Sequence, residues 1–401
     1  MKKILSLILA ICLVFSLAAC ANKAAPSEES KEESISEISQ SQSESESKEQ
    51  EPAPKKPFEG LTWAENKTYT FNENAKVKNV ILIIGDGMGV NHLEAARIAK
   101  GDSLACDAMP KVCEVSTCNV DGETTDSAAA ATAMATGVKT LNKRICVDKD
   151  GNDLPNLGEF FKGLGMRTGT AVTAVIPHAT PAGFFAHNEF RDNYPDIMQD
   201  MINIETDVLF GGGEGNLDYN SKTAMEEHGY KHITKAKQFT EVQNGDKVIG
   251  LFRYADMAGG VEPDLATMTS EALRLLENDK GFFLMVEASH IDVSASGCDM
   301  EGTMKEMSVF DRAVKVALDY AEGHEGTLVL VTADHETGGL ILPDNPTVDT
   351  LTDDLFTSGG EHTGVNVNIF AAGAGTTDIF KKDVIENTEI FNIITGFFSM
   401  P

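Results

Sequence analysis

Three stretches of the chain are apolar almost without a break: residues 77–85 (VKNVILIIG), 281–287 (GFFLMVE) and 327–333 (TLVLVTA). A strand with one wet face alternates apolar and polar residues, whereas a continuous apolar run of this length predicts a strand covered on both faces. Between the second and third runs, Met300, Met304, Met307, Phe310, Val314 and Ala317 recur at helical spacing. That stripe predicts a long helix whose methionines fill the core. A further helix is predicted from the alanine-rich segment 127–136, with Gly137 as its C-terminal stop. Strands separated by helices predict an α/β fold with a central, mostly parallel sheet flanked by helices on both faces. Residues 212–262 are less regular and are expected to form an insertion or cap. No internal repeat is visible.

Composition narrows the function classes. The 401 residues contain 62 acidic and 33 basic side chains. A nucleic-acid binder needs a basic surface to neutralise phosphates, so stable nucleic-acid binding is not expected. An acidic protein can still act on anionic substrates where a bound cation or an arginine reverses the local sign.

The N-terminal segment has its own pattern. Lys2 and Lys3 precede an apolar run over residues 4–17 that is too short to span a membrane. It ends in LAAC at 17–20, which resembles a bacterial lipobox and marks Cys20 as the lipid-bearing first residue of the mature chain. Residues 21–57 hold nine Glu and five Lys among Ser and Pro, with almost nothing to bury. The expected organisation is therefore a signal over 1–20, a linker over 21–57 and one folded domain over 58–401, held outside a bacterial membrane by its lipid. Setting aside Cys12 and Cys20 leaves five cysteines, so at least one thiol is unpaired whatever the pairing.

Candidate chemistry gathers where the apolar runs end. In an open α/β sheet, ligands bind beyond the carboxyl ends of the strands. The first run ends in GDGMG with Asp86, the second in Glu287 with Asp292 five residues on, and the third in Asp334-His335. One such acid is an ordinary helix cap, but three strand ends delivering acids and histidine to one edge point to a metal centre. Clustered carboxylates repel unless cations lie between them, and oxygen donors with a few imidazoles suit Zn²⁺ and Mg²⁺. Ser127 stands at the start of the alanine-rich helix, where free N–H groups favour anions. Beside such an edge it becomes a candidate nucleophile.

Six segments together resemble the ordered motif set of alkaline phosphatases: GDGMG at 85–89, TDSAAAATAMATG at 125–137, HATPAGFFAHNEFRDNY at 178–194, MVEASHID at 285–292, TADHETGG at 332–339 and HTG at 362–364. The resemblance implies hydrolysis of small phosphate monoesters through a phosphoserine on Ser127. It implies one zinc at Asp86, Asp334 and His335, a second at Asp292 and His362, and a third site, usually magnesium, at Asp86, Thr180 and Glu287. Arg191 would clamp phosphate oxygens, for which its planar fork is suited. The family's habit also implies a homodimer. His178, two residues before Thr180, stands where some members carry Asp, and an imidazole there favours zinc or cobalt over magnesium.

The sequence departs from the family pattern at Ser296, where a histidine ligand of the second zinc is expected four residues after Asp292. Serine is not a usual zinc ligand. Either the site keeps Asp292 and His362 with water, or Cys298 or His290 fills the gap, or another metal sits there. Two other readings stand beside the phosphatase: a diesterase or pyrophosphatase of the same superfamily, against which the charge of Arg191 argues, and a non-catalytic phosphate- or metal-binding lipoprotein, which Ser296 favours. No CxPxR or SxPxR motif of a sulfatase is present.

Overall fold

The computed structural model describes residues 57–399; the signal and, apart from Pro57, the linker lie outside the described residues. Twelve strands form in chain order: β1 (Asn79–Gly85), β2 (Lys111–Ser116), β3 (Arg167–Val175), β4 (Val208–Gly212), β5 (Lys231–Ile233), β6 (Val248–Leu251), β7 (Phe282–Ala288), β8 (Thr327–Ala333), β9 (Glu336–Thr337), β10 (His362–Thr363), β11 (Val367–Gly373) and β12 (Val384–Glu386). Ten make one sheet in the order β12-β2-β11-β8-β1-β7-β3-β4-β6-β5, and β9 and β10 make a separate antiparallel pair. The sheet is mostly parallel, and β11 runs antiparallel to both of its neighbours.

The three apolar runs become β1, β7 and β8, side by side at the centre, and every residue in them is buried. Adjacent phenylalanines in β7 show why no alternation appeared. Successive side chains on a strand point to opposite faces. Phe283 stacks on Phe161 with ring centroids 5.0 Å apart, and it also meets Phe184 and Phe185. Phe282 meets Tyr320 of the long helix Met300–Gly323 at 5.8 Å. Both faces of the strand are therefore covered by helices. The methionine stripe lies on that long helix, and Met300, Met304, Met307, Phe310, Val314 and Ala317 are all buried.

Residues 212–262 are not a cap. They contain a helix, Tyr219–Glu227, and the strands β5 and β6, which extend the main sheet beyond β4. Strands of three and four residues carry too short a pattern to register as periodicity. The cysteines Cys106, Cys113, Cys118, Cys146 and Cys298 are all free. Among the described residues no helix is long and apolar enough to cross a membrane.

Candidate metal centre

Four adjacent parallel strands, β8, β1, β7 and β3, end on one edge, and each delivers part of the site. Asp86 follows β1, Glu287 lies at the end of β7, Asp334-His335 follow β8, and His178 and Thr180 follow β3. Asp292 rides the short helix His290–Ser296 after β7, and His362 comes from β10, paired with β9. Gly87 lets these segments converge. Its φ is +72°, and a Cβ there would stand 2.7 Å from Thr337 Oγ1 and 2.9 Å from the Asp292 Cα. Any other residue would be strained and would also push the two segments apart.

The donors fall into three groups, each within mutual reach of one ion: Asp86, Asp334 and His335; Asp86, His178 and Glu287; and Asp292, His335 and His362. Thr180 accompanies the second group. Several of their atoms are unsatisfied. Asp86 Oδ1, both Glu287 carboxylate oxygens, Asp334 Oδ2, His178 Nδ1 and Thr180 Oγ1 are buried without a hydrogen-bond partner. Buried polar groups are almost always paired, because an unpaired one costs on the order of 1–3 kcal/mol and a charged one more. Such a concentration of orphaned acceptors fits divalent cations.

The protonation tendencies of Asp86, Glu287 and His178 agree. Burial, then the neighbouring carboxylates Asp334, Asp292 and Glu287, push the Asp86 carboxyl well above its usual range. Burial raises Glu287 to about 7. Burial and the Arg191 charge lower His178 to about 4, so its imidazole is neutral and able to act as a ligand. His362 is raised to about 9: burial opposes the charge, but the Asp292 carboxylate, 3.3 Å from Nε2, outweighs it.

Ser127 is the first residue of the helix Ser127–Thr136, whose N-cap is Asp126, accepting from the Ala129 N–H at 3.0 Å. Capping is thus done by the preceding residue, and the Ser127 hydroxyl is left for the donor groups, with Oγ 3.3 Å from His335 Nε2. The other oxygen of Asp126 accepts from the Lys143 N–H at 2.9 Å and from Arg191 Nη1 at 3.1 Å. Arg191 Nη2 lies 3.4 Å from His178 Nε2. One aspartate therefore fixes both the helix that carries the serine and the guanidinium beside it. Sequence reading missed this second job of Asp126, whose only local signal is that of a cap. It also missed Thr337, whose hydroxyl donates to Asp292 Oδ1 and lies 3.2 Å from His335 Nδ1.

His290 and Cys298 are not brought to the site. Among the described residues neither belongs to a donor group, and His290 Nε2 instead faces the Thr173 carbonyl at 3.2 Å. Ser296 is exposed, and its Oγ donates to the Gly360 carbonyl at 3.1 Å.

A mostly parallel sheet whose strand ends gather acids and imidazoles around a helix-terminal serine is the arrangement that a metal-assisted hydrolase of the α/β class requires. A sequence model of alkaline phosphatase matches residues 77–348. Alkaline phosphatase 3 of Bacillus subtilis is 39% identical over 287 residues, covering 66% of this chain and 62% of that relative's length. Streptomycin-6-phosphate phosphatase of Streptomyces griseus is 31% identical, covering 80% of this chain and 90% of the relative. Among solved structures, a cold-active alkaline phosphatase from Shewanella superposes with a TM-score of 0.73 at 31% identity, over 80% of this chain and all of that one. A histidine-to-aspartate mutant of TAB5 alkaline phosphatase with Mg bound in its M3 site superposes with a TM-score of 0.75 at 28% identity, over 81% of this chain and 99% of that one. The chain belongs to the alkaline phosphatase family.

Proposed function

We propose that this protein hydrolyses small phosphate monoesters through a phosphoserine on Ser127. The observation that carries the reading is the placement of the Ser127 hydroxyl against His335, among orphaned buried donors, with Arg191 held beside it by Asp126. Asp86, Asp334 and His335 would hold one zinc, Asp292 and His362 a second, and Asp86, His178, Thr180 and Glu287 a third ion, magnesium or, given the imidazole, zinc or cobalt. Bound there, such ions lower the pKa of attacking oxygens and stabilise the departing one.

The residues do the rest. Arg191, charged at every working pH, binds two non-bridging phosphate oxygens, and Asp126 keeps its fork in place. The N–H groups at the start of the Ser127 helix add positive potential. Ser127 Oγ attacks phosphorus and loses its proton to water. The Oγ–P bond forms, the P–O bond to the leaving group breaks, and the alcohol departs after taking a proton from water. A water oxygen then attacks phosphorus, the Oγ–P bond breaks, and phosphate leaves with Ser127 restored. The test is turnover of p-nitrophenyl phosphate together with metal content by mass spectrometry. Metal without turnover would favour the non-catalytic binder.

Arg191→Ala separates monoesterase from diesterase. A monoester offers the guanidinium more negative oxygen than a diester does. A hydrogen bond to a charged group is worth about 1.5–3 kcal/mol. We expect kcat/KM on a monoester to fall tenfold or more, phosphate inhibition to weaken, and diester turnover to fall less. Equal losses on both substrate classes would count against the assigned role.

We further propose that the enzyme works outside the membrane, anchored through Cys20 and the linker, a reading supported by the LAAC motif. Fatty-acid labelling should be lost in Cys20→Ala; retained labelling refutes the anchor. Homodimerisation, by family habit, is read by light scattering.

A further inference from the structure

The three donor groups share residues, and the sharing is unequal. Asp86 serves two groups, and a carboxylate has two oxygens with which to do so. His335 also belongs to two groups, but a neutral imidazole offers a single lone pair, on the nitrogen without a proton. Thr337 decides which nitrogen that is. Its hydroxyl proton is given to Asp292 Oδ1, so towards His335 Nδ1, 3.2 Å away, its oxygen can only accept. Nδ1 therefore carries the proton, and Nε2 holds the lone pair. Nε2 lies 3.3 Å from Asp334 Oδ2, 3.5 Å from Asp86 Oδ1 and 3.3 Å from Ser127 Oγ. His335 is thereby committed to the group around Ser127.

The remaining group keeps Asp292 and His362. His362 Nδ1 lies 3.1 Å from the Thr125 carbonyl, which leaves Nε2, facing Asp292, as its ligand atom. Among the described residues no other donor replaces His335. His290 faces Thr173, and Cys298 is outside every donor group among the described residues. Ser296 is nearby: its backbone lies so close to Gly360, two residues before His362, that a Cβ on that glycine would stand 2.1 Å from the Ser296 carbonyl oxygen. Yet Ser296 is exposed and its hydroxyl is spent on the Gly360 carbonyl.

We propose that the Asp292–His362 centre is held by only two protein ligands and is the exchangeable one of the three. This rests on the metal reading above. The centre fills last, completes its shell with water, and takes its ion from the surrounding medium. The other two centres have three or more protein donors each and retain their ions. Residue 296 is the position from which a third ligand would come.

The test is metal binding rather than activity. The full chain is stripped with chelator and dialysed against buffered Zn²⁺, and bound zinc is measured by elemental analysis. The wild type should show two tight equivalents and a third at least about 100-fold weaker, by comparison with what even outer-shell losses cost a metal site. Ser296→His should move the third equivalent towards the tight class by a similar factor. His362→Ala should abolish the weak class alone, and Ser296→Ala should change nothing. Melting of each stripped protein confirms that the variants fold. Three equivalents of equal affinity in the wild type would overturn the proposal. So would zinc release by Ser296→Ala, or a folded Ser296→His whose weak class is unmoved. Absence of any tight equivalent would instead overturn the underlying metal reading, and no variant would then respond.

Discussion

Ser127→Ala is expected to lower kcat on p-nitrophenyl phosphate by about 10³ or more, while bound metal and melting temperature stay near those of the wild type. Removing one member of a catalytic unit commonly costs several orders of magnitude. The fold should tolerate the change. Asp126, not Ser127, caps the helix, and the lost hydroxyl makes one long contact with His335. Alanine is also the best helix former. Acid quenching with phosphate-labelled substrate should trap phosphoserine in the wild type and none in the variant. Label on the variant would place the nucleophile elsewhere. A variant of unchanged rate would remove Ser127 from the mechanism.

The second large effect is on stability and lies away from the site. Asp311, in the middle of the long helix Met300–Gly323, is fully buried. One of its oxygens accepts from the Ala105 N–H at 2.6 Å. The other accepts from the Ala64 N–H at 3.1 Å and from Lys100 Nζ at 2.9 Å. Lys100 is itself only 6% exposed in its side chain. The carboxylate thus ties the entry to the domain, the end of the helix Val90–Lys100 and the following turn to the central helix. Asp311→Ala would leave the buried Lys100 ammonium without its counter-charge, with only Asn66 Oδ1 at 3.1 Å as a partner, and would strand the Ala64 and Ala105 N–H groups. Breaking a buried pair from one side costs about 3–5 kcal/mol, and that loss is expected in the denaturant midpoint at unchanged slope. A loss under 1 kcal/mol would mean that water reaches Lys100 and replaces the carboxylate.

The parts of this protein legible in its sequence are those whose cause is local. The strands β1, β7 and β8 showed as unbroken apolar runs because helices cover both faces of each, as Phe282 and Phe283 make visible. The helix Ser127–Thr136 showed through its alanines and its stop at Gly137, which has a φ of +74° as a left-handed C-cap requires. The acids at the strand ends were legible because parallel neighbours end on the same edge. Adjacency in the sheet then turns a list of strand termini into one cluster.

Tertiary structure alone decided the rest, for a common reason: the deciding contacts join residues far apart in the chain, and periodicity carries no record of them. The strands β5 and β6 are too short to show a period, and only pairing with β4 makes them part of the sheet. Asp126 drew no reading from the sequence, and only folding brings Arg191, 65 residues on, to its second oxygen. Water, Cys298, His290 and a different metal all stood open in the sequence as ways to complete the site around Asp292. Only folding shows the turn that aims His290 at Thr173 and Ser296 at Gly360. Which centre His335 serves depends on a hydroxyl at Thr337 that must give its one proton to Asp292. Residue types fixed what chemistry was possible. The directions of side chains on converging loops, set by long-range packing, fixed how the donors are shared.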